Sequence, residues 1–150
     1  GATLTGTPTA PTAAAGTNTT QIATTAFVQA IASSGVYAAS ISNASNIGGI
    51  TIGRANYMKI GNVVSVNFSG SATFITTSTS ATFEISLPFN KTLTNNGFTV
   101  GSAIPVSTGI ISTGIIQHIN SVSTVRVIIN SSAMNGLGSI SGSFMYNIQD

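Results

Sequence analysis

The sequence predicts a mainly β protein: a compact antiparallel β-sandwich of jelly-roll-like type, preceded by an extended strap and one short helix. Three observations carry that expectation. Between Tyr57 and Gly70, two runs rich in β-branched and aromatic residues flank Gly61-Asn62, a pair that tolerates positive φ and suits a two-residue hairpin turn. Short stretches alternating apolar and polar with period two recur from there to the C-terminus, separated by Gly, Pro and Asn signals. The first 17 residues have Leu4 as their only large apolar side chain, so they cannot form a core.

In chain order, residues 1–17 combine threonines with Pro8 and Pro11, which favours extended backbone laid along something else. Asn18 to Ser34 is the helix candidate. Asn18 and Gln21 have capping-box spacing, Gly35 is placed to end the helix, and Ala23, Phe27, Ala30 and Ile31 share one side with Ile22 and Ala26 beside them. So narrow a stripe needs a partner. Residues 35–54 read as a linker that becomes a short strand near Ile50 to Ile52, and the boundary between N-terminal segment and sandwich falls between residues 48 and 49.

In the hairpin, pairing Ile60 with Val63 puts Tyr57, Lys59, Val64, Val66 and Phe68 on the core face. Met58, Ile60, Val63, Ser65 and Asn67 take the other. Lys59 fits the core face only near the sheet edge, with its ammonium in water. Ala81 to Leu87 alternates with Phe83, Ile85 and Leu87 inward, and Thr82, Glu84 and Ser86 outward, before Pro88. Asn95-Asn96-Gly97 marks a turn. Ile110 to Ile119 reads as one longer strand apolar on both faces, as if a neighbouring subunit covered the second. Thr124 to Asn130 turns Val125, Val127 and Ile129 inward, and Ser139 to Ile148 closes the fold with Ile140, Phe144, Tyr146 and Ile148. About seven strands result.

Composition narrows the function classes. Of 150 residues only Arg54, Lys59, Lys91, Arg126, Glu84 and Asp150 are charged, so the pI near 9.4 reflects a net charge of just +2. Four cations spread from Arg54 to Arg126 do not make a nucleic-acid surface. Thr (22), Ser (21) and Asn (13) replace charge as the surface chemistry, which suits an extracellular or particle-borne protein and subunits packed along a fibre. No apolar run approaches membrane-spanning length. With no cysteine, stability comes from burial and assembly. The chain starts at Gly1 inside a low-complexity run, as the C-terminal piece of something longer would.

Two segments carry a resemblance. Leu4-Thr5-Gly6-Thr7-Pro8-Thr9-Ala10-Pro11-Thr12-Ala13-Ala14-Ala15-Gly16-Thr17-Asn18-Thr19-Thr20-Gln21-Ile22-Ala23-Thr24-Thr25-Ala26-Phe27-Val28 resembles a module that recurs in tailed-bacteriophage tail fibres just before a shaft or tip domain, with Ala15 where those fibres commonly have proline. The hairpin Tyr57-x-Lys59-Ile60-Gly61-Asn62-Val63-Val64-x-Val66, then Ser86-Leu87-Pro88-Phe89 and Phe144-Met145-Tyr146, is similar to the small C-terminal β-domains of fibre and tail-tip proteins. The resemblance implies a homotrimeric fibre tip on the virion. It would bind a bacterial surface glycan or outer-membrane receptor, or else serve as a structural module that trimerises and ends the fibre.

Chemistry is sparse. Glu84 and Asp150 are the only acids and nothing in the sequence pairs them, so the expectation is no enzyme, no metal and no cofactor. His118 reads as a solvent-facing or hydrogen-bonded strand residue, and no nucleophile-elbow pattern surrounds any serine. The receptor-binding candidates are Tyr37, Asn95, Asn96, Phe98, His118 and Asn135, with Phe98 singled out because it follows an amide-rich turn. The trimer-interface candidates are Ile22, Phe27, Ile31 and Ile116.

Overall fold

A computed structural model describes residues 5–14, 16–75, 80–89, 100–107, 110–111, 114–118, 123–130 and 136–148, with backbone alone for 100–107, 110–111 and 118. Among the described residues one helix, α1 (Thr25–Ile31), precedes ten strands: β1 (Ala32–Val36), β2 (Ile41–Ser45), β3 (Ile47–Ile60), β4 (Val63–Phe74), β5 (Ser80–Ser86), β6 (Val100–Ser107), β7 (Ile110–Ile111), β8 (Gly114–His118), β9 (Thr124–Asn130) and β10 (Gly136–Asn147). Every pairing is antiparallel, in the order β1-β3-β4-β10-β6-β8-β9-β5-β2, with β7 on β6.

This ladder folds over into two layers. Phe68 on β4 and Phe83 on β5 stand five places apart in the order, yet their rings meet edge to face at 6.4 Å. The turn between layers lies at β6 and β8, which share two rungs, Ser102↔Ile115 and Ala103↔Gly114. β10-β6-β8-β9 is a Greek key: three sequential strands and a fourth returning beside the first. A jelly roll needs a second one, and among the described strands the other half is built differently. β2 runs into β3 through the single residue Asn46, whose φ of 60° turns the chain from one layer to the other. Its Nδ2 donates to the Ser80 carbonyl at 2.8 Å and holds the corner.

The hairpin matches the expectation from sequence. Ile60 pairs with Val63, and Gly61 takes a φ of 56° while Asn62 keeps a negative φ. Val64, Val66 and Phe68 are buried, Tyr57 and Lys59 are half-buried, and Met58, Ile60 and Val63 lie open to water. The inward rows of β5, β9 and β10 are also as expected: Phe83, Ile85, Val125, Val127, Ile129 and Phe144 are at most 1% exposed. Each such side chain contributes roughly 1.5–3 kcal/mol by leaving water.

Three expectations are corrected. The helix is seven residues long rather than spanning 18–34. Thr24, not Asn18, caps it by accepting from the Phe27 amide at 3.1 Å, and Ala32 is already extended, well before Gly35. Threonines at 19 and 20 weaken helix formation before the cap, and after Ile31 the chain gains a full ladder on β3, Ala32↔Ile60 to Val36↔Asn56. Second, the stretch read as a linker from residue 35 holds the end of β1, all of β2 and the start of β3. Small polar residues hid them, because strand pairing is a backbone property that Ser and Asn can share. Third, Ile110 to Ile119 is not one two-faced strand. Ile110–Ile111 pairs with β6, whereas Gly114–His118 pairs with β9, placing Ile116 in the core at 5% exposure and Ile115 outward at 55%. Ile116 is thus unavailable as an interface residue.

Candidate functional site

The outer face of the second layer carries the most polar chemistry among the described residues. Its strands run β2-β5-β9-β8, and register alone sets a row: Ser42 opposite Glu84, Glu84 opposite Arg126, Arg126 opposite Gln117. Ser86 opposite Thr124 forms the adjacent row.

Glu84 was expected as an outward carboxylate without a partner. It is outward, but only 6% exposed and fully engaged. Arg126 Nη2 donates to Oε1 at 3.0 Å, and Oε2 accepts from Asn43 Nδ2 at 2.8 Å and from Thr124 Oγ1 at 3.3 Å. Asn43 reaches over the carboxylate because the β2 register slips between Ser42 and Ser45. At the slip its backbone takes a φ of 49°, a region that asparagine tolerates better than most residues. Burial alone pushes the Glu84 carboxyl up, but the bonds from Asn43, Arg126 and Thr124 and the guanidinium charge together hold it below its ordinary value of 4.5. It is a fixed anion, the opposite of a proton donor. Arg126, with its side chain 43% exposed, keeps part of its guanidinium toward solvent beside the exposed Gln117.

Of the residues singled out from sequence, Tyr37 is described in full. It is half-buried, not a free aromatic plate: its hydroxyl donates to the Ser86 carbonyl at 3.0 Å and its ring meets Tyr57 edge-on at 6.5 Å. Burial pushes its hydroxyl up to about 12. Tyr57 in turn meets Phe89 at 5.0 Å, closing this end of the sandwich with aromatic rings. The backbone of His118 pairs with Val125. Asn95, Asn96, Phe98, Asn135 and the second acid Asp150 lie outside the described residues. Ile31 (36%) is exposed and Phe27 is half-buried, so α1 keeps an uncovered apolar side, and Ile22, ahead of the helix, is 64% exposed. Among the described residues, no three potential metal-ligating side chains cluster.

Sequence reasoning missed Asn43, Thr124 and Arg126 as partners of Glu84. A signal was present: Glu84 and Arg126 are opposite charges on outward strand positions in a chain with six charges in all. The β5–β9 pairing that joins them bridges 42 residues and has no local trace.

Comparison with protein-family models, with curated proteins and with solved structures found no match.

Proposed function

We propose that this chain is the C-terminal tip of a bacteriophage tail fibre, a homotrimer on the virion that binds a host surface structure of polysaccharide type. The observation that carries the reading is the outer row Ser42–Glu84–Arg126–Gln117 with Asn43 and Thr124 beside it. Hydroxyls, amides and a guanidinium stand on a rigid sheet around the buried carboxylate, the donors and acceptors that a polyhydroxylated ligand satisfies. Glu84 already neutralises Arg126, so the row is not an anion site. Weak contacts of this kind gain strength when three copies engage one surface. The N-terminal resemblance to fibre modules supports the same reading.

The tip is proposed to be non-catalytic. Its one described carboxylate is held ionised by three partners, whereas glycoside hydrolysis needs a second carboxyl and a protonated acid. A purely structural module that ends the fibre is the second reading, favoured by one observation: the Glu84 network closes on its own chain. Retention of the protein on bacterial cells and on surface-oligosaccharide arrays separates the two. Binding lost in Gln117→Ala and Arg126→Lys supports recognition by this row, and no retention on any host surface supports the structural module.

A further inference from the structure

The outer face of the first layer has the opposite character. Next to the hairpin tip, one row across the sheet reads Ala32, Ile60, Val63 and Asn147, and the next Ser34, Met58, Ser65 and Met145. Exposures are 57% for Ile60, 47% for Val63, 54% for Met58 and 51% for Met145, and Val36 follows on β1 at 73%. Neither row contains a charge. Arg54 stands two rows beyond Met58 on the same face, and strand alternation turns Lys59 to the other face.

These five side chains leave on the order of 500 Å² of apolar surface in water, more than half of the roughly 800 Å² that each partner contributes to a stable interface. Ala32, Ser34, Ser65 and Ile31 border the patch and can supply the rest. The two rows themselves offer no charge to a charged partner. The row Ser34, Met58, Ser65, Met145 alternates small and large, so a copy displaced by one strand sets methionines over serines. Where Ser34 and Met58 adjoin, a shallow hollow of about 230 Å³ lies against Ala32, Ser33, Lys59 and Ile60.

We infer that this face is an interface between copies of the chain, with a second copy as its occupant. The inference rests on the reading of the chain as a self-assembling fibre tip and names the surface through which it assembles. A near-neutral chain with six charged residues offers little electrostatic repulsion between copies.

The test is sedimentation velocity of the whole chain. Wild type sediments as an oligomer at micromolar concentration. The double variant Met58→Glu/Met145→Glu sediments as a monomer with an unchanged strand signal in circular dichroism, because four or more carboxylates would be forced together without partners. Ile115→Glu, on the other layer, assembles as wild type does. A monomeric wild type, or a double variant that assembles normally, overturns the inference. Because the protein has no cysteine, S34C gives a milder probe: its thiol resists alkylation at high protein concentration and reacts on dilution, while the S42C thiol reacts at both. Equal reactivity at the two positions and concentrations overturns the interface without relying on a disruptive variant. Retention on cells is read separately, so a wild type that binds cells while the double variant still assembles sinks this inference and leaves the fibre-tip reading standing.

Discussion

Glu84 dominates the acid chemistry of this protein, since Asp150 is the only other acidic side chain. Its folded pKa lies below the unfolded one, so its contribution to stability is complete above the unfolded value and is lost as pH falls through the folded value. The acid limb of a pH–stability profile should therefore flatten in Glu84→Gln, with a loss of about 1–2 kcal/mol at neutral pH as charge-assisted bonds become neutral ones. Chemical denaturation at pH 7 and at pH 3 reads both effects. Asn43 separates backbone from side chain. Its φ of 49° suits glycine, so Asn43→Gly should lose only the amide bond to Glu84, while Asn43→Ala should lose in addition about 1 kcal/mol to left-handed backbone. In both variants an NMR titration should find the Glu84 carboxyl raised relative to wild type. Tyr37 acts at the other end of the scale: its pKa is raised to about 12, so the fold is favoured while the phenol is protonated and loses that contribution as pH rises through the folded value.

Elements differ in how firmly they are held. The β3–β4 ladder changes register between Ile52 and Arg54, and there Gly70 lies so close to β3 that an added Cβ would collide with the Thr51 carbonyl. Gly70→Ala should cost about 1–3 kcal/mol in a denaturant titration, because backbone, not a flexible side chain, must move aside. Helix α1 contrasts with this. None of its residues is buried, so Thr24→Ala should release the Phe27 amide and speed hydrogen exchange over residues 25–28 without lowering the global melting temperature. A helix that melted with the sheet would mean that it is packed against more than the structure shows.

Across the whole molecule, the two layers share one core, and Phe83 is its bridge to Phe68. Phe83→Ala should remove about 3–5 kcal/mol, a large part of the stability of a domain this size, and calorimetry should record one transition rather than two. Two outer faces of contrasting chemistry then divide the proposed work: Met58, Ile60 and Met145 for assembly, and the Glu84–Arg126 row for contact with the host. Substitutions on one face should leave the other's readout untouched, a form of independence expected of distant sites.

What the sequence determined by itself is what local physics can encode. Gly61 sets the turn, the turn pairs Ile60 with Val63, and period-two alternation then assigns Val64, Val66 and Phe68 to one face; the same rule places Phe83, Val125 and Phe144. Tertiary structure decided the rest. Ala32–Val36 leaves the helix because β3 offers it a ladder, and Ile41–Ser45 becomes a strand because β5 does; neither partner is near in sequence. Glu84 is a buried anion and not a free one because a slip at Asn43 and a strand 42 residues away bring three donors to it. Side-chain periodicity records which face a strand buries. Which strands lie side by side, and so which polar groups meet, is settled by long-range backbone pairing that leaves no pattern in the local sequence.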